Sequence, residues 1–154
     1  MNRPIRQFKI DRISFQLGMI NCFVEMVACG VKRLALSPPV TPEDYEKIRQ
    51  ASEDIVNGFG IQSYLEKSLL ITDLQSEDFT KGKWSILYYE REDVLEEYLG
   101  LKKKKKQLEQ SGQYNEDSRA EVSRAFMRLL SYPEEKIEEK LSCKASGPFL
   151  LTDE

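Results

Sequence analysis

The stretch WSILYYEREDVLEEYLGLKKKKKQL, residues 84–108, decides between two architectures. Trp84, Leu87, Tyr88, Arg91, Val94, Leu95, Tyr98, Leu101 and Leu108 recur at helical spacing. Read that way, the stretch is one helix of about 25 residues, about 38 Å long at 1.5 Å per residue. A competing hairpin would pair Leu69–Leu74 with Trp84–Tyr89, because aromatic side chains favour strands. The helical spacing outlasts any ordinary strand, so the helix is preferred, with Gly100 as its weak point. The expected fold class is therefore all-α, a single-domain bundle of five or six helices over residues 1–154. An α+β fold with a short hairpin is the alternative.

The flanking sequence agrees with a bundle. Ile13, Leu17, Ile20, Val24, Val27, Val31 and Leu34 form a heptad seam, widened by Phe23, Met26 and Leu36. A narrow stripe of Ser14, Gly18, Asn21, Glu25, Cys29 and Lys32 remains. Period-two alternation over residues 8–17 is the rival reading there, a short strand. Ser37-Pro38-Pro39 ends the first helix. Thr41 then caps a second, with Pro42 at its first position and Glu43 and Asp44 at the positive dipole end. Tyr45, Ile48, Ile55 and Val56 supply its inner face, and Asn57-Gly58 with Gly60 stops it. Ile61, Tyr64, Leu65 and Leu69 suggest a short third helix, followed by a loop over residues 72–83. After the break at Ser111-Gly112, Asn115 caps a helix with Val122, Phe126, Leu129 and Leu130 inward. Tyr132-Pro133 interrupts it before a last helix carrying Ile137 and Leu141. Residues 1–10 and 143–154 read as flexible or docking tails, the latter with apolar Phe149, Leu150 and Leu151.

Composition removes whole classes of chemistry. The 154 residues include no histidine, which excludes Ser-His-Asp and Cys-His catalysis and imidazole metal sites. Cys22, Cys29 and Cys143 form no CxxC and read as small buried hydrophobes in a reducing cytoplasm. Residues 1–40 carry six Lys/Arg against two Asp/Glu, and the remainder seventeen against twenty-four. A pI near 5.3 argues against a dedicated nucleic-acid binder. The run Ile13–Val31 lacks Lys and Arg, but Asn21 and Glu25 in its middle argue against a membrane span.

Three clusters bear on function. Lys102, Lys103, Lys104, Lys105 and Lys106 sweep more than one helical turn and so make no single stripe; a solvated helix end is expected, with an RNA contact as the rival. Glu90, Asp93 and Glu97 share a helical face at i, i+3 and i+7, the oxygen donors that Mg²⁺ prefers. Glu90-Arg-Glu-Asp93-Val-Leu resembles the second metal-binding helix of the all-α nucleotide pyrophosphohydrolases. That resemblance implies a partner Glu-x-x-Glu upstream, for which the match is Glu43-Asp-Tyr-Glu46, with 43 residues between Glu46 and Glu90. Glu134, Glu135, Glu138 and Glu139 make an acidic surface in which only Lys136 and Glu139 pair favourably. Glu25, the one acid of the first helix, is expected at an edge or interface. Gly58-Phe59-Gly60 lacks the strand and the Gly-Lys-Ser/Thr ending of a phosphate loop.

The expected function is that of a small cytoplasmic protein acting through protein–protein contacts, an adaptor or regulatory subunit, as a homodimer and with no cofactor. Its interaction residues would be Glu25, Trp84, Tyr88 and Lys102–Lys106. An Mg²⁺-dependent nucleotide or phosphate-ester hydrolase using Glu90, Asp93 and Glu97 is the rival, and an RNA-contacting accessory protein the third reading.

Overall fold

Strand β3, Ser85–Tyr89, is where the computed structural model departs from an all-helical bundle. The structure describes residues 9–74 and 77–142. Within them the order is α1 (Arg12–Ala28), β1 (Leu34–Leu36), α2 (Pro42–Phe59), β2 (Gln62–Glu66), α3 (Glu77–Thr80), β3, α4 (Glu92–Gln110), α5 (Glu116–Leu129) and α6 (Glu134–Ser142). The strands form one antiparallel sheet in the order β1-β3-β2. The fold is mostly helical with a small sheet, which corrects the all-α expectation.

The correction has a packing cause. Every residue of β3 is buried. Leu87 and Tyr89 enter one core with Leu34, Val94, Leu95, Tyr98, Phe126 and Leu129, while Ile86 and Tyr88 enter another with Ile20, Val24, Ala35, Ile48 and Val56. The sheet thus lies between α1 and α2 on one face and α4 and α5 on the other. A strand covered on both faces is apolar throughout and loses the alternation that marks half-buried strands. The apolar face of α4 follows after a two-residue break, so strand and helix read as one periodic run.

Other expectations are also settled by the structure. The first helix stops at Ala28, and its supposed continuation is a turn with Val31 65% exposed, then β1. No strand occupies residues 12–17, which are already helical. The proposed third helix is instead β2 and an irregular segment, so β3 finds its hairpin-like partner at Gln62–Glu66 rather than at Leu69–Leu74. Cys22 and Cys29 are free and exposed, not core residues.

Local signals elsewhere act as their chemistry requires. Thr41 accepts a hydrogen bond from the Asp44 N–H, Pro42 opens α2, and Gly60 ends it in the left-handed region at φ 69°. Asn115 and Ser118 form a reciprocal capping box on α5. Residues 1–8 and 143–154, the greater part of both expected tails, lie outside the described residues.

Candidate interaction surface

β2 lies at one margin of the sheet, and its backbone directions follow from its neighbours. The Ile86 N–H donates to Ser37 Oγ at 2.8 Å, and the Ile86 carbonyl accepts from the Ser37 N–H at 2.8 Å. The backbone groups of Ile86 therefore face β1. Direction alternates along a strand, so Ser85, Leu87 and Tyr89 face β2, opposite Glu66, Tyr64 and Gln62. Ser63 and Leu65 are left with their N–H and C=O groups on the outer margin, where no described strand pairs with them. Gln62, Ser63 and Tyr64 are exposed.

The same register turns Glu66 toward α4, where its carboxylate is buried. It accepts hydrogen bonds from Tyr98 Oη at 2.8 Å, Lys102 Nζ at 2.8 Å and the Ser68 N–H at 2.8 Å. Tyr98 Oη in turn accepts from the Leu70 N–H at 3.1 Å, and Lys102 Nζ also donates to the Ser68 carbonyl at 2.7 Å. A buried carboxylate is tolerable only when paired and hydrogen-bonded in this way. Burial pushes the Tyr98 hydroxyl well above its ordinary value, against the Leu70 bond, which lowers it; Glu66 pushes it up further. The phenol is thus a fixed neutral donor. Burial likewise raises Tyr88, whose hydroxyl meets Ser52 at 3.3 Å.

The five lysines are not equivalent, and the expectation that all of them cap a solvated helix end is corrected. Lys102 is held by Glu66 and Ser68. Lys104 bonds Glu121 of α5 at 2.7 Å and draws that carboxyl below its usual range. Lys105, half-buried, donates to the Ile71 carbonyl at 2.9 Å and lies 5.5 Å from the Tyr114 ring centroid. Lys103 and Lys106 are exposed, with no hydrogen-bonding or ionic partner among the described residues. Asp73 continues the lacing: its N–H donates to Ser123 Oγ at 3.1 Å, its carboxylate accepts from that hydroxyl at 3.0 Å, and it pairs with Arg119. The irregular chain after β2 is therefore tied to α4 and α5. Between Ser68–Ile71 and α4 runs a groove of ≈ 500 Å³ lined by Lys102, Lys103, Lys105 and Lys106, with Glu109 as its one acid.

The expected metal carboxylates meet cations instead. Arg91 grips Asp93 through two hydrogen bonds of 3.1 and 3.0 Å, and Arg33 donates to Glu97 at 2.7 Å. Glu90 and Asp93 line a second groove, ≈ 280 Å³, with Lys32, Arg33 and Arg91. The upstream pair Glu43 and Glu46 belongs to α2, which packs on the opposite face of the sheet from α4. Among the described residues no group of three or more His, Cys, Asp or Glu is placed to hold a metal ion.

Other expected contact residues scatter. Glu25 is exposed on α1 within its polar stripe. Trp84 is half-buried, edge-on to Tyr45 at 5.6 Å and 4.7 Å from Lys67 Nζ. Tyr88 is completely buried, which removes it from any surface. Ser63, Leu65 and Glu66 escaped sequence reasoning because they sit in a segment assigned to a helix. The acids of α6 are also more engaged than expected: Arg124 and Arg128 of α5 each grip one, Glu138 and Glu134, bidentately.

No family model, curated protein or solved structure matches the chain. Among the described residues, no helix is long and apolar enough to cross a membrane.

Proposed function

We propose that this protein works through protein–protein contacts, as a cytoplasmic adaptor or regulatory subunit that joins either a second copy of itself or another chain. The open margin of β2 carries the reading. Exposed strand edges are templates for pairing, and proteins commonly blunt them with proline, bulges, inward charges or a covering element. β2 has no proline, its one buried charge is neutralised by Lys102, and Lys67 just beyond it turns over Trp84. A second copy would join here rather than at α1, because the apolar side of α1 is packed with Ile48 and Val56 of α2 and with the sheet.

Two measurements test the proposal. A photo-crosslinking residue at position 63 should give a discrete protein adduct in a lysate of the source cells, while one at exposed Glu135 gives none. Sedimentation of the purified chain then tells whether the adduct is a second copy. The absence of any adduct specific to position 63 would refute the reading. So would Mg²⁺-dependent nucleotide turnover abolished by Glu90→Gln and Asp93→Asn, since that would install the hydrolase.

A further inference from the structure

We infer that the outer margin of β2 and the lysine groove beyond it together bind an extended acidic segment of another protein. The inference rests on the contact-protein reading and adds the chemistry of the partner.

Ser63 and Leu65 present two N–H and two C=O groups outward, enough to pair a short added strand through its main chain. Main-chain pairing supplies affinity without sequence preference, so specificity must come from what lies alongside. Beyond Glu66 the chain enters Ser68–Ile71, one wall of the lysine groove, so the margin leads directly into it. Four lysines face one acid there. Lys102 and Lys105 are committed to Glu66, Ser68 and Ile71, whereas Lys103 and Lys106 have no such partner among the described residues. A segment that pairs with β2 and carries carboxylates toward its groove end answers both features at once.

A second copy fits less well. Edge-to-edge pairing would bring another Gln62–Glu66, whose single acid, Glu66, is buried and already held by Tyr98 and Lys102. It has no carboxylate to offer Lys103 or Lys106. RNA would satisfy the lysines through phosphates but would leave the strand margin unused.

The test uses the full chain and a short fluorescein-labelled peptide of alternating valine and glutamate ending in aspartates, followed by anisotropy. Ser63→Pro removes an outward N–H without touching the ladder to β3, and should weaken binding about tenfold, the effect of about 1.4 kcal/mol. Lys103→Gln with Lys106→Gln should weaken it by a similar factor and flatten its salt dependence. The unmodified protein should also lose affinity for a peptide N-methylated at alternate residues, which guards against a misfolded variant. Failure of the peptide to bind, or binding indifferent to Ser63→Pro and to N-methylation, overturns the inference. So does tighter binding of an oligouridylate that Ser63→Pro leaves unchanged, or sedimentation showing a β2-dependent dimer that excludes the peptide. A peptide that fails while the position-63 adduct persists refutes the acidic chemistry alone; loss of both refutes the contact reading as well.

Discussion

Replacing Lys102 by Met leaves the Glu66 carboxylate, 5% exposed in its side chain, with Tyr98 and Ser68 as its remaining donors among the described residues. Losing a hydrogen bond to a charged group costs about 1.5–3 kcal/mol. Lys103→Met, one residue along and exposed, should change stability by less than about 0.5 kcal/mol. Chemical denaturation of the two variants checks the contrast, and equal costs would contradict the buried Glu66 cluster. Asp44 gives a pH-dependent counterpart. Arg12 donates to it at 2.7 and 3.1 Å and holds its carboxyl below the ordinary value of 3.8, against the opposing effect of burial. A depressed folded-state value adds stability that is complete above the unfolded value and lost as pH falls through the folded one. Asp44→Asn should therefore lower the melting temperature at neutral pH, with a gap from the parent that closes as pH drops below the ordinary carboxylate range. A gap that persists unchanged in acid would assign the effect to something other than the Arg12 pair.

At the scale of elements, β3 bears the heaviest packing load. Leu87 is completely buried between β1, β2 and the α4 side, so Leu87→Ala should cost about 2–5 kcal/mol by lost transfer energy and cavity formation. Equilibrium unfolding measures this, and a cost under about 1 kcal/mol would mean the strand is not the shared centre of the cores. The same burial explains what the sequence revealed and what it hid. Thr41, Pro42 and Gly60 announce α2 because caps act on the backbone next to them, whatever the rest of the chain does. Asn115 announces α5 for the same reason. Ile86 and Leu87 give no such local notice: their strand character depends on neighbours about 20 and 50 residues away, and covering both faces removes the alternation. The outer margin of β2 was hidden with them. Exposed Lys103 and Lys106 were legible from the charge run alone, whereas which groups of Ser63 and Leu65 stay open follows from the register of β2 on β3, 21 to 25 residues away. The pairing of Glu66 with Lys102 bridges 36 positions and has no signature in spacing.

The two cores lie on opposite faces of the sheet, and β3 contributes side chains to both. That arrangement ties their stabilities together, because unfolding either side strips one face of the same strand. The single tryptophan, Trp84, adjoins β3 and is bridged to Val40 on the α2 side, so its fluorescence reports on that half. Far-UV circular dichroism reports largely on the helices, including α4 and α5. The two signals should follow one transition in urea, as two-state unfolding requires. A tryptophan transition displaced from the helical one would show that the cores separate.

The strand order also sets a timetable for synthesis. β1 and β2 both pair with β3, yet β3 is the last of the three to be made. As the chain leaves the ribosome, α1 and α2 can meet early through nearby residues, but the two first strands have nothing to pair with until residue 89 is out. During that interval the apolar groups of Leu34, Ala35 and Leu65 await a cover, and the nascent chain carries two unmatched strand segments at once. Such intermediates are the ones that holding chaperones protect. The arrival of five residues then closes the sheet from the middle, and α4, emerging directly behind, seals its second face.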